Sequence, residues 1–119
     1  MTLVVNLYGG PGTGKSTTAA LLFGLLKQKG VNCEQVREYA KDIVWEGRTY
    51  LLQNQIYIFA KQLKRMSDLV GQVDVIITDS PILNSILYYK GGSDYFDLLV
   101  LEEYHNFNNL DILLERAKD

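Results

Sequence analysis

Apolar and polar positions follow a strand-then-helix pattern through the first half of the chain. Thr2–Leu7 is a β-branched and leucine-rich run, which is typical of a buried strand. A glycine-rich segment separates it from a helix predicted over Lys15–Lys29, with Gly30 as the stop. A second strand is predicted over Val31–Arg37 and a short helix over Tyr39–Glu46. The order strand, helix, strand, helix indicates βαβ units.

The second half repeats this order. The pattern predicts one long helix over Leu51–Val70, a continuous apolar strand over Val73–Thr78, a helix around Phe96–Phe107 and a last strand over Leu110–Leu114. The apolar stripe of the long helix consists of Leu52, Ile56, Phe59, Leu63, Met66 and Val70. Strands that alternate with helices predict an α/β doubly wound parallel sheet with helices on both faces, a three-layer αβα architecture.

Composition narrows the class of protein. The 119 residues suit a single domain over 1–119, and no apolar run has the length of about 18 residues that a membrane span needs. Twelve Lys and Arg against fourteen Asp and Glu leave a net charge of −2, so a nucleic-acid partner stays possible but is not favoured. The single Cys33 is expected to be a buried apolar residue, and no membrane partner is expected. A cytoplasmic location is expected.

The strongest motif lies between the first strand and the first helix. Residues 9–16 match the pattern G-x-x-x-x-G-K-[ST] of a phosphate-binding loop. Glycines let backbone N–H groups turn toward a phosphate, and the positive end of the helix dipole lies at the same place. Lys15 is expected to reach the β- and γ-phosphates of ATP, and Ser16 to ligate Mg²⁺. The predicted nucleotide-binding residues are Gly9, Gly10, Pro11, Gly12, Thr13, Gly14, Lys15, Ser16 and Thr17.

A carboxylate follows the buried strand of the second half. Val75–Thr78 ends at Asp79, the form of a segment that binds Mg²⁺ directly or through water. Because ligands of such sheets bind beyond the carboxyl ends of the strands, Asp79 is predicted to lie beside the phosphate loop. The alternative is that Asp79 only caps the next helix, and the two roles are compatible.

Polar residues after the second strand suggest an acceptor site. Glu38 is a candidate general base for a substrate hydroxyl, and Lys41 or Arg48 could steady anionic groups. Gln55 and Gln62 share one face of the long helix and could hydrogen-bond a base or ring edge. The alternatives are an ordinary surface glutamate at a helix start and ordinary boundary glutamines.

The order of these motifs resembles one family. A GTPase is disfavoured because Asp79 is followed by Ser80-Pro81 and residues 108–111 lack the lysine of a guanine reader. The phosphate loop, Glu38–Asp42, the glutamine-bearing helix and Ile76–Pro81 together resemble the NadR-like AAA family of P-loop kinases. This family includes ribosylnicotinamide kinase and many bacteriophage proteins.

The resemblance carries expectations for fold and mechanism. It implies a P-loop NTPase fold of the nucleoside/nucleotide kinase type with strand order 2-3-1-4, and transfer of the γ-phosphoryl of MgATP to a nucleoside- or nucleotide-like hydroxyl. Lys15, Asp79 and Glu38 would be catalytic, Ser16 and Asp79 would hold the metal, and the acceptor would lie near Glu38, Tyr39, Lys41, Arg48, Gln55 and Gln62.

Two alternatives accompany this expectation: a kinase of 5-hydroxymethyluracil in phage DNA, and a nucleotide-binding module or slow ATPase. Relatives of this family continue past Leu110–Leu114 into an arginine-bearing lid and a fifth strand. Arg116 is a candidate first lid arginine, and the chain is therefore expected to lack the lid and last strand. A second polypeptide or a homo-oligomer could supply them. If the protein is phage-encoded, the host cytoplasm is its expected location.

Overall fold

The computed structural model describes residues 1–89 and 91–116. Four parallel strands form one sheet in the order β2-β3-β1-β4, which confirms the predicted strand order and parallel sheet. The strands are β1 (Leu3–Tyr8), β2 (Cys33–Val36), β3 (Val75–Thr78) and β4 (Asn108–Leu113). The second strand is shorter than predicted, and the last begins two residues before the predicted Leu110. Within the described residues, no helix combines the length and apolar character of a membrane span.

In the described part of the chain, five α-helices and one 3₁₀ helix connect the strands. They are α1 (Lys15–Gln28), α2 (Tyr39–Trp45), the 3₁₀ helix (Thr49–Gln53), α3 (Gln55–Leu69), α4 (Asn84–Tyr88) and α5 (Asp94–His105). The single helix predicted over Leu51–Val70 is wrong at its start. The side chain of Asn54 accepts a hydrogen bond from the backbone N–H of Tyr57 at 3.0 Å, and this cap begins a new helix at Gln55.

Alternate residues of the central strand supply two separate cores. Val4 packs with Ile76, Phe59 and Phe96 on the face covered by α3 and α5. Val5 and Leu7 pack with Ile77 and Ala19 on the opposite face, which α1 covers. Cys33 is fully buried, as expected. The sheet is therefore a middle layer between two helical layers, as predicted, and its strands all end at one edge.

Candidate functional site

The phosphate loop occupies the turn between β1 and α1. Gly14 has φ +82°, a left-handed conformation that places it immediately before the first helical residue, Lys15. The loop is drawn together by Thr13, whose hydroxyl donates to the Gly10 carbonyl at 2.9 Å. Because the first turn of α1 holds no acidic residue, its positive dipole end stays available to an anion. Residues 10–17 line a shallow cavity of about 300 Å³ over this helix start.

Gly9 allows the loop to fold tightly. A Cβ atom at Gly9 would lie 2.5 Å from Thr13 Oγ1 and 3.0 Å from the Leu114 carbonyl oxygen. At Gly10, by contrast, no atom lies within 4 Å of the corresponding position. Packing therefore requires glycine at position 9, the first fixed position of the motif. Gly10, in contrast, faces open space.

Ser16 and Asp79 meet across the edge of the sheet. Asp79 follows β3, and its Oδ2 accepts a hydrogen bond from Ser16 Oγ at 2.8 Å. The Asp79 residue is 8% exposed, and among the described residues its Oδ1 has no hydrogen-bond partner. A buried, unpaired carboxylate oxygen beside a hydroxyl is a fitting donor pair for Mg²⁺, which prefers oxygen ligands. The structure thus brings together the two residues predicted to hold the metal.

The helix-cap alternative for Asp79 is wrong. The helix that follows begins at Asn84, and its N-cap position is occupied by Leu83. Ser80 is instead held by Thr78, whose hydroxyl accepts the Ser80 backbone N–H at 3.0 Å. The carboxylate of Asp79 instead contacts Ser16 in the first turn of α1.

Lys41 adds a second ammonium group beside the loop. Its Nζ lies 3.4 Å from Ser16 Oγ, at the weak limit of a hydrogen bond. Lys41 is on α2, so this contact links the second βα unit to the phosphate loop of the first. A phosphate bound at the loop would meet positive charge from Lys15 on one helix and from Lys41 on another.

Glu38 lines a cavity of about 440 Å³ next to this site. It occupies the N-cap position of α2, yet its side chain makes no capping hydrogen bond there. The carboxylate thus remains available to a ligand. The other lining residues are Ala40, Leu52, Gln55, Ile58, Gln62, Ser80, Pro81, Asn84, Ser85 and Tyr88. Since Ser80 follows Asp79 directly, the cavity adjoins the candidate metal site.

Gln62 fixes the backbone on both sides of Glu38. Its Oε1 accepts the Tyr39 backbone N–H at 2.9 Å, and its Nε2 donates to the Arg37 carbonyl at 3.3 Å. Both ends of the amide are engaged, and the residue is 4% exposed. Gln62 therefore acts on the position of Glu38, which differs from the expected role of reading a base edge. Gln55 also lines the cavity, with its Nε2 donating to the Leu52 carbonyl at 2.8 Å.

Tyr39 and Arg48 lie outside the lining of this cavity. The Tyr39 hydroxyl is 3.1 Å from the Tyr57 hydroxyl and 3.4 Å from an Arg48 guanidinium nitrogen. The shared hydrogen bond raises the pKa of Tyr39 and lowers the pKa of Tyr57. The Arg65 guanidinium lies 4.8 Å from the Tyr39 ring centre. These contacts anchor α2 to α3, so the structure assigns Tyr39 and Arg48 to packing rather than to the acceptor cavity.

Lys15 lines a further cavity, of about 450 Å³. It is bounded by Tyr8, the start of the phosphate loop, Leu87 and Leu113, and it shares Asn84 and Tyr88 with the Glu38 cavity. Burial raises the pKa of the Tyr8 phenol above its ordinary value, and Asp111 and Tyr104 raise it further. The two cavities adjoin along α4, and Lys15 lines one of them.

The α4 residues of the site have no recognisable pattern in the sequence. Asn84, Ser85 and Tyr88 line the Glu38 cavity from a helix of five residues, too short to show a helical period. The Ser80-Pro81 pair precedes α4 in the chain. A turn signal at this proline was the one available hint that the chain bends over the site.

Several solved structures are similar to this fold. The sequence of APE1195, whose crystal structure is known, is 26% identical to this chain. The two structures match with a TM-score of 0.52 over 96% of this chain and 60% of APE1195. Thymidylate kinase from Ehrlichia chaffeensis is 19% identical in sequence. Its structure matches with a TM-score of 0.63 over 96% of this chain and 71% of that kinase. The APS kinase CysC of Mycobacterium tuberculosis is 18% identical in sequence. Its structure matches with a TM-score of 0.54 over 99% of this chain and 81% of that kinase.

These similarities confirm the predicted three-layer α/β P-loop NTPase fold. The chain spans 60% of the length of APE1195. A comparison with curated protein sequences finds no match. A family model described as an AAA domain, AAA_28, matches residues 4–110, and the chain belongs to this family.

Proposed function

We propose that this protein is a kinase that transfers the γ-phosphoryl group of MgATP to a hydroxyl of a nucleoside- or nucleotide-like acceptor. The observation that carries the proposal is that the phosphate-loop site adjoins the Glu38 cavity. The loop of residues 9–17 and the Ser16–Asp79 pair form a place for nucleotide phosphates. The Glu38 cavity begins at Ser80, directly after Asp79, and is large enough for a small acceptor.

The proposed roles follow from the position of each group. Lys15 neutralises phosphate charge, the backbone N–H groups of the loop donate hydrogen bonds to the phosphates, and Lys41 adds positive charge near Ser16. Ser16 and Asp79 would hold Mg²⁺, which supplies charge neutralisation for the β- and γ-phosphate oxygens. Glu38 accepts the proton of the acceptor hydroxyl as that oxygen bonds to the γ-phosphorus. The bond from that phosphorus to the ADP oxygen breaks, and ADP leaves.

Gln62 and α4 complete the acceptor side of the site. Gln62 holds the peptide groups flanking Glu38, so the carboxylate does not have to be ordered when the acceptor binds. The aromatic ring of Tyr88 and the amide of Asn84 face the same cavity and could contact a ring-bearing acceptor. This mixture of apolar and polar lining supports a nucleoside-like acceptor, with nicotinamide riboside as the candidate that the family resemblance suggests.

The test is transfer of labelled γ-phosphate from MgATP to a panel of acceptors. The panel contains nicotinamide riboside, deoxynucleosides, nucleoside monophosphates and DNA with 5-hydroxymethyluracil. We expect a labelled small acceptor with wild type and none with Lys15→Ala. Labelled DNA would favour the alternative of a kinase acting on a modified base in phage DNA. Free phosphate without any labelled acceptor would contradict the proposal and favour a slow ATPase or nucleotide-binding module.

Glu38 is tested by a matched pair of substitutions. Glu38→Gln removes the proton acceptor, and we expect kcat for the labelled acceptor to fall by about 10²–10⁴-fold. Glu34→Gln makes the same chemical change at an exposed position of β2, and kcat should stay unchanged. Equal activity of the two variants would exclude Glu38 as the base.

A further inference from the structure

An apolar groove lies between α3 and α5, on the helical layer that does not carry α1. Its volume is about 350 Å³. The floor is formed by Phe59 and Phe96, whose rings meet edge to face at 5.5 Å between centres. The remaining lining residues are Ile56, Ala60, Leu63, Lys64, Ser67, Leu99 and Glu103. None of these residues lines the cavities of the candidate active site.

Two residues of the groove, Ile56 and Leu99, and two further residues of α5, Tyr95 and Leu98, are apolar and exposed. Tyr95 is 84% exposed, Leu98 62%, Ile56 54% and Leu99 46%. α5 carries apolar residues around most of its circumference, a composition that is typical of a helix covered on more than one side. An apolar groove with exposed apolar residues in its lining is typical of an interaction surface.

Two charged residues border the groove on opposite ridges. α3 and α5 both lead into parallel strands on the same face of the sheet, so they run in the same direction. Phe59 and Phe96 meet near the two helix starts. Lys64 on α3 and Glu103 on α5 therefore both lie toward the other end of the groove. Glu103 takes part in none of the ion pairs found in the described part of the chain.

We propose that this groove is the interface of a homodimer, with a second copy of this chain as its occupant. The two-fold axis runs along the groove, so that α3 of each copy lies over α5 of the other. Ile56, Leu63 and Leu99 of the two copies then bury their exposed surface against each other. A two-fold axis makes each contact occur twice, which is the property of an isologous interface.

Charge complementarity favours a second copy over an unrelated partner. In this arrangement Lys64 faces Glu103 of the partner subunit, and Glu103 faces Lys64 of the partner subunit. Two opposite-charge pairs thus arise from residues that one chain already carries on its two ridges. Lys64 is bound to Asp68 on its own helix, but that pair is exposed on both sides and leaves the ammonium free to turn to a better partner.

Charge reversal tests this proposal through the dimer dissociation constant, measured by sedimentation velocity over a range of concentrations. Wild type should form a dimer. Lys64→Glu and Glu103→Lys each place like charges opposite one another and should weaken dimerisation by about tenfold or more. The double variant Lys64→Glu/Glu103→Lys exchanges the two charges and should restore the wild-type dissociation constant. Lys29→Glu, at an exposed site beyond α1, is the control for net charge.

The apolar part is tested with Leu99→Glu, which should abolish the dimer. Leu25→Glu is the matched control, because Leu25 is 54% exposed and lies on α1, on the opposite face of the sheet. Circular dichroism establishes that each variant is folded. A monomeric wild type, a dimer that Leu99→Glu leaves intact, or a double charge variant without restored affinity would each overturn the proposal. The dimer dissociation constant is measured without nucleotide or acceptor, so these results are independent of the proposed phosphoryl transfer.

Discussion

At the scale of single residues, Gln62 illustrates how one buried amide can place a catalytic candidate. Its two hydrogen bonds reach the backbone on either side of Glu38. Gln62→Met keeps the length of the side chain but leaves the Tyr39 N–H and the Arg37 carbonyl without that partner. We expect a loss of about 1–3 kcal/mol in the free energy of unfolding and a lower kcat.

The measurements are urea denaturation and phosphoryl transfer to the labelled acceptor. Gln53→Met, at an exposed position of the 3₁₀ helix, serves as the control and should change neither quantity. If Gln62→Met matched this control in both the free energy of unfolding and kcat, the Gln62 amide would have no role in positioning Glu38.

Gly9 and Gly10 allow a comparison between two adjacent glycines. Gly9→Ala places a methyl group 2.5 Å from Thr13 Oγ1, so the phosphate loop must shift. Overpacking of this kind costs about 1–3 kcal/mol of stability, and nucleotide affinity should fall with it. Gly10→Ala adds the same methyl group where nothing lies within 4 Å.

Urea denaturation and ATP titration of both variants check this expectation. We expect Gly10→Ala to match wild type in stability, because the added methyl group meets no protein atom. A Gly9→Ala variant as stable and as tightly binding as Gly10→Ala would show that the close approach to Thr13 is not a constraint on the loop.

At the scale of elements, the start of α3 is set by a cap. Asn54→Ala removes the acceptor for the Tyr57 N–H, and we expect a loss of about 1 kcal/mol in the free energy of unfolding. Gln53→Ala changes the neighbouring exposed residue and should have a smaller effect. Chemical denaturation distinguishes the two. An Asn54→Ala variant no less stable than Gln53→Ala would mean that the cap contributes nothing to α3.

Features that carry a local pattern or motif were predictable, whereas features without such a signal were not. The strands β1 and β3 and the helix α1 follow from apolar runs and a glycine-rich loop that are local in the chain. The break at Asn54 was missed because Leu52 and Ile56 continue one apolar stripe across it, while the capping bond that interrupts the helix leaves no periodic signal. The short α4 was missed for lack of length.

The same distinction applies to the candidate site. Ser16 and Asp79 could be paired in advance, because each follows a strand in a recognisable motif and parallel strands end at one edge. The part played by Gln62 could not, because it bonds to backbone groups 23 and 25 positions away. The resemblance placed Tyr39 and Arg48 in the acceptor site, whereas the Tyr39 hydroxyl contacts Tyr57 on α3 and the Arg48 guanidinium contacts Tyr39 and Glu46.

At the scale of the whole molecule, the sheet order brings the candidate groups together. The phosphate loop follows β1, Asp79 follows β3 and Glu38 follows β2, and these three strands are neighbours in the sheet. Their carboxyl ends lie at one edge, so three segments far apart in the chain form one site. The central claim is that this edge binds a nucleotide phosphate together with Mg²⁺.

The most direct test is calorimetric titration of ATP with and without Mg²⁺. We expect Mg²⁺ to raise the ATP affinity of wild type by about tenfold or more, equal to about 1.4 kcal/mol. Asp79→Asn should still bind ATP but lose most of this gain, and Lys15→Ala should bind weakly in both conditions. An Asp79→Asn variant with the full Mg²⁺ effect, or a Lys15→Ala variant with wild-type affinity, would contradict the account.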